Sequence, residues 1–163
     1  MALPGALAAA SLLAGAAPGQ VQPAGVDLRV GEIHAFEEEG FLGTGGRRLP
    51  ASRPLEPHGG GWTLGPGFYK VVFMDPVSIP EDTLGLCFPR SSLLRMGALL
   101  SCAVWDPGYR GRGESLLVVG NPRGIRLEAG ARVAQLVLIR IYPQQGARYE
   151  GFYQGERLAG EKF

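Results

Sequence analysis

Cysteine is scarce in this sequence, since Cys87 and Cys102 are the only two among 163 residues. Both lie in apolar segments, and they lack the close C-x-x-C spacing that is typical of a zinc site. Free buried thiols are therefore the favoured interpretation, and a disulfide between the two stays an open alternative. A metal centre built on paired cysteines is excluded.

An excess of charge of one sign is also missing, because 16 lysines and arginines stand against 15 aspartates and glutamates. The chain lacks the strongly basic balance that is typical of proteins that bind duplex nucleic acid. We therefore expect no nucleic-acid partner.

Long apolar runs are absent as well. No segment reaches the roughly 18 apolar residues of a membrane-spanning helix, so we expect no membrane association and a cytoplasmic location. Residues 1–19 are apolar and alanine-rich but lack the basic start of a secretory signal. The pattern predicts a short N-terminal helix over residues 3–14, with a signal peptide as the weaker alternative.

Glycine and proline are abundant, with 26 and 13 residues, and they separate short apolar segments at regular intervals. This spacing predicts an all-β barrel or sandwich rather than a helical protein. We expect one domain over residues 1–163, with a short internal helix at 91–96. Residues 43–61 are predicted to form a long surface loop, and residues 143–163 a mobile C-terminal tail.

The segment Trp105-Asp106-Pro107-Gly108-Tyr109 follows a predicted strand over residues 97–104. Proline and glycine favour a tight turn here, which would hold Asp106 at a strand end where it can face a cleft. A fixed carboxylate in a cleft is what a general base requires. The alternative is that Asp106 only caps its own turn, as isolated aspartates in such turns commonly do.

Other polar groups interrupt the strands. Arg90, Ser91 and Ser92 precede the predicted internal helix, where they form either a helix cap or an anion site. Gln135 lies inside an apolar strand and needs a partner, either structural or a ligand.

In this order, the polar segments resemble the five ordered motifs of the dUTPase and dCTP deaminase superfamily. The A-V-W-D-P-G-Y form resembles most the archaeal-type dUTPases, whereas the tail motif is closer to the deaminases. The five segments are 23–29, 89–93, 103–109, 129–135 and 149–155.

The resemblance implies a β-clip, which is a distorted jelly-roll barrel, assembled as a homotrimer with sites between subunits. It also implies hydrolysis of dUTP to dUMP and pyrophosphate with Mg²⁺. This reaction removes dUTP from the nucleotide pool and supplies a precursor of dTTP.

Catalytic roles follow from the same resemblance. Asp106 would deprotonate the attacking water and hold the sugar 3′-hydroxyl. Ser91, with Arg90, would contact the phosphates near the scissile bond, and Gln135 would bind near the α-phosphate. A triphosphate requires several such positive and hydrogen-bonding partners.

The resemblance assigns binding roles too. Asp27 would reach the metal through its water shell, and Tyr109 would pack on the deoxyribose and exclude a 2′-hydroxyl. For Arg110 and Arg112 the alternative is a solvated hairpin. The remaining predicted substrate contacts are Ser92, Arg95, Arg110, Cys102, Ala103, Val104, Tyr153 and Gln154.

A dCTP deaminase of the same fold is the nearest alternative. The deaminases carry a glutamate on the strand after the aspartate motif, where this chain has Leu116 or Val118. They also carry an arginine two residues before the aspartate, where Val104 stands, and Glu114 falls before the strand. We therefore favour hydrolysis. A non-catalytic nucleotide-binding trimer is less favoured, because the polar motif residues are all present.

Overall fold

The structure, a computed structural model, describes residues 1–142 and 148–158. Its strands are β1 (Val21–Gln22), β2 (Gly25–Phe36), β3 (Phe41–Gly43), β4 (Gly46–Arg48), β5 (Ser52–Pro54), β6 (Gly61–Leu64), β7 (Gly67–Phe73), β8 (Val77–Ser78), β9 (Thr83–Pro89), β10 (Ala98–Ser101), β11 (Arg110–Gly111), β12 (Glu114–Val119), β13 (Ile125–Glu128) and β14 (Arg132–Arg140). Its helices are α1 (Gly5–Ala8), followed by the 3₁₀ turn Ala9–Ser11, and α2 (Ser91–Arg95). The all-β prediction is confirmed.

The main sheet is antiparallel and runs in the order β10, β12, β7, β2, β14, β9. Its two edges approach each other, because Gly85 of β9 and Trp105, just after β10, exchange backbone hydrogen bonds of 2.8 and 2.9 Å. We call this contact the seam. It nearly closes the sheet into a barrel.

The long strand β2 connects the two halves of the barrel. Its first half pairs with β14 and its second half with β7, and the register shifts between Val30 and Glu32. Gly31 lies at this bulge, where a Cβ would come within 3.0 Å of the Arg112 guanidinium and the Met74 backbone. The bulge lets one strand bend and continue from Gly25 to Phe36.

The core fills the barrel through strict alternation. In β12, Ser115, Leu117 and Val119 point inward, and the residues between them are half-buried. In β14 the second face is likewise half-buried within this chain. The outer face of β14 therefore remains partly open to solvent in the single chain.

The N-terminal helix is shorter than predicted. Pro4 precedes α1, and the helical residues end at Ser11 because Leu12 is extended. The segment packs on the barrel, where Leu3 donates a backbone hydrogen bond of 2.8 Å to Leu138 and Ala8 is fully buried. Gly5 is required there, since a Cβ would collide with the carbonyl oxygen of Gln22.

Two further predictions differ from the structure. The region 43–61 is not a structureless loop, because β3 and β4 form a hairpin and β5 pairs with β2. The helix α2 is confirmed, but Arg90 is its N-cap and no side chain caps it. A serine cap at Ser91 or Ser92 was therefore wrong.

The C-terminal segment 148–158 lies in turns against the barrel. The rest of the predicted tail, 143–147 and 159–163, lies outside the described residues. The mobility predicted for this tail, and the single domain over 1–163, stay predictions. No helix among the described residues is long and apolar enough to cross a membrane.

Candidate active site

The turn at Asp106 is closed by the backbone. The carbonyl of Asp106 accepts a hydrogen bond of 3.1 Å from the Tyr109 amide, and Gly108 has a φ of +80°. A positive φ at the third residue of a turn favours glycine. No hydrogen bond to the Asp106 carboxylate occurs within residues 1–142 and 148–158. The aspartate does not cap its turn, and its exposed carboxylate is available to a ligand.

A cavity of about 350 Å³ opens beside this carboxylate. Its wall is largely apolar, with polar groups from Asp106, Lys70, Glu114 and Glu156. A mostly apolar pocket with a few placed polar groups is typical of small-molecule sites. The remaining lining residues are Phe36, Leu49, Pro50, Ala103, Val104, Trp105, Tyr109, Tyr149 and Tyr153.

Tyr109 forms part of the cavity wall and is held on all sides. Its ring lies 5.7 Å from Trp105 and 5.9 Å from Tyr149, and its hydroxyl donates a 2.6 Å hydrogen bond to Glu156. Burial, and next the bond to Glu156, raise the pKa of Tyr109 above its ordinary value. Burial also raises the pKa of Glu156. The ring is thus a rigid, neutral surface at the cavity.

Glu114 is the acidic residue on the β12 side of the cavity. It forms ion pairs with Arg157 at 2.6 Å and with Lys70 at 3.5 Å. Leu116 and Val118 lie on the same face of β12 as Glu114, because side chains alternate along a strand. The positions expected for the deaminase glutamate are therefore apolar, and Glu114 is engaged by two cations.

A second polar cluster forms around Asp27, which is only 1% exposed. Its Oδ2 lies 3.2 Å from Nε of Arg90 and 3.3 Å from Nη1 of Arg132. Burial raises the pKa of Asp27, and the two guanidinium groups oppose that rise. Gln135 pairs with Asp27 in the β14–β2 register. We call Asp27, Arg90, Arg132 and Gln135 the arginine cluster.

The arginine cluster has unused hydrogen-bonding capacity. The Gln135 amide is half-buried, and within the described ranges its side chain makes no hydrogen bond. Ser91 and Ser92 are exposed on α2, as is Arg95, and a second cavity of about 330 Å³ lies between Ser92 and Arg132. Free hydroxyls, an amide and guanidinium groups at one surface suit an anionic ligand.

The predicted site residues thus divide into two groups. Cys102 lies at the start of the segment that carries Ala103, Val104, Asp106 and Tyr109 at the first cavity, whereas the arginine cluster and α2 line a different surface. The two cavities share no lining residue. One chain therefore does not bring all the predicted residues into one pocket.

A family model described as dCTP deaminase-like matches residues 6–141. The chain belongs to this family. It is 52% identical over 140 residues to a protein of Aeropyrum pernix named probable deoxyuridine 5′-triphosphate nucleotidohydrolase, covering 86% of this chain and 88% of that protein. It is 42% identical over 143 residues to the deoxyuridine 5′-triphosphate nucleotidohydrolase of Methanocaldococcus jannaschii, covering 83% and 88%.

The fold is shared with a solved dCTP deaminase of Agrobacterium tumefaciens, at a TM-score of 0.63 and 23% identity. The match covers 84% of this chain and 47% of that one, so the chain spans about half the length of that protein. The predicted superfamily and its barrel fold are confirmed. Because one family fold carries two chemistries, the site residues must decide between them.

The tail of this family member contacts the Asp106 turn directly. Gln154 accepts a 2.9 Å hydrogen bond from the Arg110 amide and donates one of 2.9 Å to the Gly108 carbonyl. Arg112 donates to the Phe73 carbonyl and to Glu32, each at 3.0 Å. Arg110 is exposed, as the solvated-hairpin alternative predicted. Arg112 is not, because its guanidinium is bound to the barrel by these two hydrogen bonds.

Several cavity residues were missed from the sequence. Phe36, Leu49 and Pro50 come from β2 and from the hairpin region, and Lys70 comes from β7. Glu156 lies one residue after the last predicted motif. No local pattern marks these residues, because only the barrel's long-range pairing brings them to the cavity.

Proposed function

We propose that this chain hydrolyses dUTP to dUMP and pyrophosphate. The observation that carries the proposal is the Asp106 carboxylate, which no described residue engages, beside an apolar cavity with Tyr109 in its wall. The names of the relatives from Aeropyrum pernix and Methanocaldococcus jannaschii support the same substrate.

In the proposed reaction, Asp106 accepts a proton from the attacking water. The oxygen of that water bonds to the α-phosphorus, and the bond from this phosphorus to the bridging oxygen breaks, which releases pyrophosphate. Phosphoryl transfer depends mainly on positioning and on stabilising negative charge. We propose that Arg90, Arg132 and the Ser91 hydroxyl contact the phosphates of a nucleotide bound at the Asp106 cavity of another subunit, because within one chain they lie on a different surface.

We also propose that Mg²⁺ enters with the triphosphate. Within the described residues, no group of three His, Cys, Asp or Glu side chains could hold a metal. Asp27 does not fit the predicted water-mediated contact in this structure, because it is buried and paired with Arg90 and Arg132. Magnesium usually binds through substrate phosphates with few protein ligands, so it does not require a cluster of three protein side chains.

Asp27→Asn provides a test of these two roles for Asp27. If Asp27 mainly orients Arg90 and Arg132, the variant should bind dUTP more weakly even in EDTA, because the two guanidinium groups lose the carboxylate that holds them. We expect a loss of about tenfold in affinity, which corresponds to about 1.4 kcal/mol of binding free energy. Isothermal titration with and without Mg²⁺ measures this. Normal affinity in EDTA, together with a raised Mg²⁺ requirement, would instead support the metal role.

We propose a homotrimer with sites between subunits. The outer faces of β9 and β14 carry an apolar strip, because Leu84 pairs with Ile139, Leu86 with Val137 and Phe88 with Gln135. Phe88 is 53% exposed in the single chain. The strip borders the arginine cluster through Gln135, so a second copy seated there would bring its Asp106 cavity towards these phosphate contacts.

Light scattering at micromolar concentration should give three times the chain mass of 17.3 kDa. Phe88→Asp should shift the protein towards smaller species, because a carboxylate would be buried without a partner in the proposed interface. Phe68→Asp is a matched control at another exposed phenylalanine, 66% exposed on β7. An active monomer would contradict the composite site.

Deamination of dCTP is the second candidate reaction, and Glu114, at the start of β12, is the carboxylate next in sequence to the position expected for its glutamate. Because Leu116 and Val118 cannot transfer protons and Glu114 is paired with Lys70 and Arg157, we expect no deamination. Incubation with dUTP and with dCTP in turn, followed by chromatography, tests both reactions. Ammonia or dUTP formed from dCTP would overturn this expectation, and Glu114→Gln would then identify the source. Binding of dUTP without turnover would indicate the non-catalytic trimer.

The cytoplasmic location remains a proposal that rests on the composition of the sequence. The same holds for the absence of nucleic-acid and membrane partners.

A further inference from the structure

The thiols of Cys87 and Cys102 meet at the seam of the barrel. Cys87 is buried on the inner face of β9, and Cys102 packs against the same core from the segment after β10. The two thiols interact with each other there. The seam bonds between Gly85 and Trp105 hold the two segments side by side, two and three residues from the cysteines.

The backbone around Cys102 is suited to a change of position. β10 ends at Ser101, and residues 102–104 belong to no strand before the bridge at Trp105. The segment is therefore held at each end and free of ladder hydrogen bonds between. A disulfide requires Cα atoms within about 7 Å and Cβ atoms aimed at each other, and such a segment can adjust to meet that geometry.

The two thiols differ in reactivity. Cys102 is partly exposed, and its sulfur lies 2.9 Å from the hydroxyl of Ser115. The interaction with Cys87, and secondarily the hydrogen bond with Ser115, lower the pKa of Cys102 against the effect of burial. The same interaction, with burial, raises the pKa of Cys87. A partly exposed thiol of lowered pKa beside a buried one is the arrangement of an attacking and a resolving cysteine.

We propose that Cys87 and Cys102 form a site of reversible oxidation by low-molecular-weight disulfides. The Cys102 thiolate attacks one sulfur of the small disulfide, forming a mixed disulfide and releasing one small thiolate. Cys87 then attacks the Cys102 sulfur, displacing the second small thiol and closing a disulfide within the chain. The protein loses two electrons and two protons, and the small disulfide gains both as two thiols.

Closure of this bond would act on the first cavity. Ala103 and Val104 follow Cys102 directly and line that cavity together with Asp106. A covalent link from Cys102 to β9 would fix the start of this segment to the barrel wall. The inference does not depend on the substrate, since the thiol chemistry is measured without nucleotide.

The test uses the full chain, reduced and then incubated with oxidised glutathione without denaturant. Intact mass spectrometry should show loss of two hydrogens with no retained glutathione, and dithiothreitol should restore the mass. Peptide mapping should find the Cys87 and Cys102 peptides joined within one chain. Retention of free thiols, a stable glutathione adduct on the parent protein, or a disulfide between chains would each overturn the proposal.

Two single variants assign the order of attack. Cys87→Ala should stop at one glutathione on Cys102, because the resolving thiol is gone. Cys102→Ala should gain none, because Cys87 is buried. Circular dichroism first establishes that each variant is folded. If a variant is not folded, the mass and peptide mapping of the parent protein decide whether the disulfide forms. Equal glutathione uptake by the two folded variants would contradict the assigned roles.

Discussion

Asp106→Asn is expected to lower kcat for dUTP hydrolysis by about 10²- to 10⁴-fold, since general-base catalysis typically contributes this much. Asparagine keeps the shape of the side chain and can still hydrogen-bond a sugar hydroxyl. It cannot take the proton of the attacking water. Because the backbone of Asp106 closes the turn, the fold should be unaffected. The loss should therefore appear in kcat with little change in affinity.

Steady-state kinetics and thermal melting on one preparation check this result. Glu81→Gln is the matched control, because Glu81 is an exposed carboxylate whose one ion pair among the described residues is with the exposed Arg148 at 3.4 Å, and it is not among the residues that line the cavity. The control should keep the parental rate. An Asp106→Asn protein with near-parental kcat would remove Asp106 from the mechanism and require another base.

Tyr109→Ala is expected to reduce the preference for dUTP over UTP by about tenfold or more, the range that a missing apolar contact gives in a shaped pocket. The ring would no longer occupy the space beside C2′, so a 2′-hydroxyl could enter. Truncation of a buried aromatic side chain should also cost about 3–5 kcal/mol of stability. The ratio of kcat/KM for the two nucleotides isolates the selectivity effect from the loss of folded protein.

Tyr109→Phe separates the ring from its hydroxyl. It keeps the packing on Trp105 and Tyr149 but removes the hydrogen bond to Glu156, so that a half-buried carboxyl loses its 2.6 Å partner. Selectivity should stay parental in this variant, and stability should fall by about 1 kcal/mol, as for the loss of one hydrogen bond. If Tyr109→Ala discriminated as well as Tyr109→Phe, the ring would have no part in sugar recognition.

Local chemistry was sufficient to predict the elements next to the site. Pro107 and Gly108 specify the turn that presents Asp106. The helix after Arg90 was also predicted within one residue of its observed end. In each case the determinants are neighbours in sequence, so propensity and periodicity carry the information.

Contacts between distant residues could not be predicted in this way. The length of β2 depends on a bulge at Gly31. Met74 and Arg112 pack so closely there that they leave no room for a side chain. The pairing of Asp27 with Arg90 and Arg132 likewise depends on β2 lying beside β14 and on β14 lying beside β9. In the sequence Asp27 stands alone, whereas in the structure its carboxylate is paired with arginines more than sixty positions away.

The seam has a consequence for how the protein responds to heat. Most of the barrel is joined by continuous ladders, whereas among the described residues the seam is joined by the short bridge between Gly85 and Trp105 and by backbone hydrogen bonds between Ile79 and residues 108 and 109. Local opening costs least where the fewest hydrogen bonds must break together, so we expect the barrel to open at the seam before it melts as a whole. Asp106 lies between these two contacts and would lose its alignment in that opened state. The upper working temperature of the enzyme would then follow the local free energy of the seam rather than the global melting transition.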